Sequence, residues 1–253
     1  MAGSSRSAAR ERRRRRADRR SRAREGLRPR LVPKDAATLI LVDRQASEPK
    51  LLMGKRHEGV RFMPGKYVFP GGRVEPEDGR VNIAGAYAPH VERRLQAGVQ
   101  RPSITRARAY GLAAIRELAE ETGLLIGETE TGAFEPRGEA WKPFAEADVF
   151  PSLEGLHFVA RAITPPGRPK RFDTRFFAGD ASLVTAKVDG IVTADAELVE
   201  LVWVSLSEAR ELNLPAITRI VIDDLARRMD EGLERDLPVP FYRQGSQSER
   251  AYL

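Results

Sequence analysis

The sequence predicts an α/β fold, a mixed sheet held between helical layers, and three observations carry that prediction. Runs rich in β-branched and aromatic residues lie both before and after one long helical stretch. That stretch is apolar along one side and acidic along the other. The formal charge of +7 is concentrated at the N-terminal end, so the remainder has the balanced composition of a folding domain.

The elements follow in chain order. Residues 1–30 hold 13 Arg against Glu11, Asp18 and Glu25, a net of +10, whereas the rest of the chain carries 30 basic and 33 acidic residues, a net of −3. Arg among Ser and Ala buries too little apolar surface to fold alone, so 1–30 is expected to be a disordered tail and 31–253 one domain. Three uses compete for the tail: contact with RNA or an anionic membrane, an Arg-rich transit peptide, and a solvated extension without function. It has no aromatic residue for stacking on bases, which favours the last. Residues 37–42 and 50–56 read as strands joined by a hairpin at 43–49, with a short third strand at 67–69. A helix is expected around 91–97, between Pro89 and Pro102. Ser103 then offers an N-cap for the long helix, and Gly123 closes it as a left-handed residue past its end. Strands at 156–163, 171–178 and 197–205 follow, with a turn at Pro165-Pro166-Gly167. A last helix shows Ile217, Ile220, Val221 and Leu225 on one side.

Composition excludes several chemistries. Cysteine is absent, which removes disulfides, thiolate metal sites and Cys nucleophiles. His57, His90 and His157 are scattered without the spacing of a zinc site. The longest apolar run, 37–42, is far short of the roughly 18 residues that span a bilayer. A cytoplasmic protein without a membrane span is the expectation. Residues 59–66 imitate a P-loop, but five residues separate the glycines and Tyr67 follows the Lys. Neither GxGxxG nor GxSxG occurs.

The chemistry lies in the long helix. With roughly 100° of rotation per residue and Glu117 at zero, Glu121 falls near ~40° and Glu120 near ~300°. Leu112, Ile115, Leu118 and Ala119 occupy the opposite side, between ~100° and ~220°. Glu side chains three or four apart repel, and a bound divalent cation would offset that cost. A solvated acidic face is the ordinary explanation of such a helix, but the flanking residues change the reading.

Arg116-Glu117-Leu118-Ala119-Glu120-Glu121-Thr122-Gly123-Leu124, together with Phe69-Pro70-Gly71-Gly72, resembles the signature of the Nudix hydrolases. Arg116 to Leu124 match the second half of that signature at every specified position, and Gly72 matches its opening glycine. Asp78 stands where the family has Glu. Residues 79–115, 37 in number, replace a spacer of seven, so about thirty extra residues interrupt the motif. A branch that resembles peroxisomal coenzyme A diphosphatases carries an insertion at this place.

The resemblance implies a Nudix-type α/β/α sandwich with a mixed sheet, and metal-dependent cleavage of a diphosphate linkage. It implies Glu117, Glu120 and Glu121 as ligands of Mg²⁺ or Mn²⁺, a further carbonyl from Gly71 or Gly72, and Arg116 as the group that orients the carboxylates, supported by Asp78. Hard carboxylate oxygens suit these ions, which neutralise phosphate charge during attack by water. The family draws its general base from the motif or from a later loop, which leaves Asp173, Glu197 and Glu200 as candidates outside the motif. Arg56, Arg61 and Gly65 precede the glycines much as in coenzyme A-cleaving members. The two Arg are candidates for phosphate binding through their planar forks, or else solvated loop charges. Coenzyme A or an acyl-coenzyme A is the first substrate expected, with ADP-ribose or another nucleoside-diphosphate derivative as the alternative. A Nudix-fold nucleotide sensor that contacts RNA through the tail is the reading from another class, and a homodimer is left open. The insertion, about 79–102, is expected to select the substrate.

Overall fold

The computed structural model describes residues 31–45, 48–129, 132, 134–243 and 250–253. The expected tail, 1–30, lies outside the described residues. Strand β1 (Lys34–Asp43) runs through the middle of the sheet and shows why the fold is layered. Leu39 and Leu41 enter one core, Ile40 and Val42 the other, and all four are essentially inaccessible. A strand alternates its side chains between faces, so a continuous apolar run demands cover on both sides.

β2 (Lys50–Arg56) returns antiparallel to β1, with Val42 opposite Leu51. The other half of that β1 edge is taken by β4 (Gly71–Arg73), where Ala37 faces Gly72 and Thr38 faces Gly71. β3 (Tyr67–Val68) pairs with β2. β7 (His157–Ile163) and β8 (Phe172–Asp180) form an antiparallel pair, and β8 lies parallel to β1. β10 (Leu198–Ser205) forms one edge beside β2. β11 (Pro240–Tyr242), parallel to β7, and β12 (Arg250–Tyr252) form the other. Parallel and antiparallel neighbours in one sheet make it mixed, as expected. A second, three-stranded sheet runs β6-β5-β9, from β5 (Leu124–Glu128), β6 (Phe150–Pro151) and β9 (Val184–Lys187).

Of the helices, α1 (Pro89–Gln96) lies in the insertion, α2 (Ile104–Thr122) carries the acidic motif, and α3 (Lys142–Glu146) is short. α4 (Leu206–Glu211) and α5 (Ala216–Glu231) follow the last long strand. α2 begins where the Ser103 hydroxyl accepts the Arg106 N–H at 3.1 Å. It ends at Gly123, whose φ of +77° and closeness to the Val188 carbonyl, 2.1 Å from where a Cβ would sit, leave no room for a side chain. Leu112, Ile115 and Leu118 of α2 pack with Leu39, Leu41 and Phe177 on one face of the sheet. Val221, Ile222 and Leu225 of α5 pack with Ile40, Val42 and Phe176 on the other. The result is the α/β/α sandwich.

Ile217, Ile220, Val221 and Leu225 of α5 all face the same core, as expected, joined there by Ile222, with Ile217 and Ile220 only partly covered. Within the insertion, Val91 and Leu95 of α1 are core residues, and Tyr87 stacks on Phe177 with ring centroids 6.0 Å apart. Val81, Tyr87, Val91 and Leu95 of this segment are buried in the core that α2 also joins. Among the described residues, no helix is long and apolar enough to cross a membrane.

Candidate active site

The two halves of the interrupted motif meet in space because β4 pairs with β1 beside the C-terminal half of α2. The Gly71 N–H donates to the Glu121 carboxylate at 3.1 Å. Gly72 passes so close to Glu117 that a Cβ would lie 2.2 Å from its Oε1. A glycine here lets backbone reach the carboxylates.

Arg116 is the hub. Its guanidinium forks onto Asp78, with Nε to Oδ1 at 2.9 Å and Nη2 to Oδ2 at 3.2 Å. Nη1 donates to Glu117 at 2.9 Å and to Glu120 at 2.8 Å, and Nη2 also reaches the Arg73 carbonyl at 2.7 Å. Asp78 is wholly buried on a short 3-10 turn, Asp78–Arg80, and the Glu75 N–H fixes its other side at 2.8 Å. Asp78 is thus in direct contact with the guanidinium that the resemblance expected it to support.

The three Glu differ in setting. Glu120 is partly open to solvent, whereas Glu117 and Glu121 are largely buried. Burial pushes Glu117 up to about 7, although Arg116 pulls the other way. Burial pushes Glu121 up to about 8, and the neighbouring Glu197 and Glu117 add to it. Two carboxylates are thus held where water stabilises them poorly; Arg116 offsets this only in part at Glu117, and Glu121 has no ion-paired cation among the described residues. Together with Glu120 and Glu197 they border a cavity of about 150 Å³. The donor chemistry fits a hard divalent cation. Among the described residues no three acidic or imidazole groups already stand as a ready coordination sphere, since Arg116 holds Glu117 and Glu120.

A second cavity, about 280 Å³, runs past Gly71 and Gly72 along the opposite face of β1 and β8. Arg56, Phe62, Lys170, Phe172 and Glu197 stand on its wall. Arg56 is mostly buried, pairs with Glu197 at 2.8 Å and has a buried Nε without a partner. Phe62 and Phe172 meet edge to face at 6.0 Å. Met63, beside them, holds a φ of +53°, an unusual conformation for a non-glycine residue.

The remaining candidates separate by position. Arg61 is exposed and lines neither cavity. Glu200 is exposed on β10 and accepts from the Tyr67 hydroxyl at 3.3 Å. Asp173 is turned away, because Phe172 and Thr174 take the cavity face of β8 and alternation sends Asp173 to the other. There it binds Arg161 through two hydrogen bonds of 2.8 and 2.6 Å. Glu197 borders both cavities. Sequence reasoning held it level with Asp173 and Glu200, and missed Phe62 and Lys170 altogether. Strand alternation around Phe172 was the available signal for Asp173.

No family model matches the chain. In fold and in its assembled motif the chain is similar to the Nudix hydrolases. It is similar to human acyl-coenzyme A diphosphatase NUDT19, 28% identical over 75% of this chain and 66% of that one. It is also similar to a putative nudix hydrolase 7 of Caenorhabditis elegans, 26% identical over 69% and 52% of the two chains. A crystallised NUDIX hydrolase from Alicyclobacillus acidocaldarius superimposes with a TM-score of 0.55 at 26% identity, covering 76% of this chain and 90% of that one. The chain thus spans only 66% and 52% of the lengths of the two curated relatives.

Proposed function

We propose that this protein is a metal-dependent diphosphatase, with coenzyme A or an acyl-coenzyme A as its first substrate class. The observation that carries the reading is the meeting of Gly71 and Gly72 with Glu117 and Glu121 across the insertion. We assign Glu117, Glu120 and Glu121, with a carbonyl of Gly71 or Gly72, to Mg²⁺ or Mn²⁺. The ion supplies charge neutralisation of the phosphates.

The protein's own groups do the rest. Asp78 fixes the Arg116 fork, and Arg116 sets the carboxylates of Glu117 and Glu120. The Gly71 N–H sets Glu121. We assign the proton-accepting role to Glu197, because it alone among the candidate bases borders both the carboxylate cavity and the larger one. Water attacks phosphorus as its proton passes to Glu197, and the bond to the bridging oxygen breaks. Arg56 pairs with phosphate, and Phe62 and Phe172 offer aromatic edges to a base or to an apolar arm. Acyl-coenzyme A cleavage by the human relative supports this substrate class as the first to test.

The test is a panel of coenzyme A, acyl-coenzyme A, ADP-ribose, NADH and dinucleoside polyphosphates, each with and without Mg²⁺, with products identified by mass. Phosphopantetheine released only with metal is the expected result. Turnover confined to ADP-ribose would move the substrate class, and no turnover on any of them would end the enzymatic reading.

A further inference from the structure

A third cavity of about 260 Å³, sharing no lining residue with the other two, lies between α5 and the strands β11 and β12. Arg227, Arg228 and Arg250 stand on its wall against Asp224 and Glu231. Asp224 is already saturated: it accepts from Arg227, from Arg250 at 2.9 Å and from the Tyr242 hydroxyl at 2.6 Å. Glu231 forms no ion pair with any described residue.

Arg228 is therefore the anomaly. It is 6% exposed, its Nη1 reaches the carbonyls of Pro238 at 3.1 Å and Leu237 at 3.5 Å, and its Nε is buried without a partner. No carboxylate pairs with it among the described residues. Arg250 likewise keeps a buried, unpartnered Nε. Burial, with the Arg94 guanidinium nearby, presses the Arg228 pKa below the usual arginine value, although Glu231 and Asp224 pull the other way. A buried guanidinium with an unpartnered donor and no carboxylate in direct ion-pair contact costs free energy, and an oxyanion is what its planar donors match. We propose that this cavity binds a phosphate-type oxyanion, held by Arg228 and Arg250 with Arg227 at the rim. Leu237 and Tyr252 beside them leave an apolar border for the rest of such a ligand.

Inorganic phosphate titrated calorimetrically into the full chain, in chelator and without divalent cation, tests it. One saturable site is expected. It should survive Arg56→Ala, which removes a cation of the active-site cavity, and weaken at least about tenfold in Arg227→Ala and in Arg228→Gln. Arg228 also holds two carbonyls, so if Arg228→Gln fails to fold by circular dichroism, the more exposed Arg227→Ala decides. Co-sedimentation with vesicles of phosphatidic acid, competed by phosphate, would identify a lipid headgroup as the source of the phosphate. Phosphate binding without co-sedimentation identifies a soluble ligand. Absence of saturable binding, indifference to Arg227→Ala, or loss through Arg56→Ala alone overturns the proposal.

Discussion

At the scale of single residues, the same carboxylates are asked to be costly and useful. Glu121 is buried and held by one backbone donor, so its negative charge weighs against the metal-free fold. Glu121→Gln keeps an acceptor for the Gly71 N–H and removes the charge. Metal-dependent turnover should vanish while the melting temperature in chelator stays level or rises; a clear fall would mean that the side chain is structural. Asp78→Asn acts the other way. It leaves Arg116 buried with less than its counter-charge, which costs roughly 3–5 kcal/mol when a buried pair is broken. Denaturant midpoints should show that loss. Activity of the remaining folded protein should fall about 10- to 100-fold, as when a group that orients metal ligands is removed. Wild-type stability in Asp78→Asn would show that the fork is dispensable.

At the scale of elements, β1, β8 and α2 are tied together by charge as well as by packing. Asp35 of β1 receives Arg175 of β8 at 2.7 Å and Arg106 of α2 at 2.6 Å. Burial tends to raise the pKa of Asp35, but Arg175 and Arg106 together outweigh it and hold it below the ordinary value of 3.8. A depressed carboxylate stabilises the fold above its unfolded pKa, and that contribution disappears as pH falls through the folded one. Asp35→Asn should therefore be less stable than the parent at pH 6, with the gap closing below about 3.8. Urea midpoints across pH 6 to 3 measure it, and a constant gap would remove the ion pairs from the account. The helices α1, α2 and α5 and the strands β1, β2, β3, β7, β8 and β10 were legible beforehand, because they rest on periodicity and caps: Ser103 and Gly123 mark α2 from the sequence alone, whereas the short elements α3, α4, β11 and β12 gave no such signal. β4 was not, since Gly71 and Gly72 have no strand preference and are held there by β1. β5, β6 and β9 build a sheet from short pieces far apart in the chain, though Leu124-Leu125-Ile126 was a readable signal for the first.

At the scale of the whole molecule, the insertion contributes side chains to the core. Tyr87 is 5% exposed, stacks on Phe177 and donates to the Ala107 carbonyl at 3.3 Å. Tyr87→Ala should cost about 3–5 kcal/mol, the range for losing a buried aromatic side chain. The KM of the folded fraction should remain as in the parent, because the insertion borders neither cavity. A KM change of tenfold without loss of stability would return the insertion to the substrate pocket.

The sequence by itself determined the fold class, the acidic helix face and the Arg116 to Leu124 motif, because each is written in residues close along the chain. Only the tertiary structure decided which distant groups join them. Asp78 and Gly71 reach α2 through a turn and a strand pairing whose partners lie dozens of residues away. Choosing Glu197 over Asp173 and Glu200 required knowing which face of each strand meets a cavity. That depends on register, and a one-residue shift reverses it.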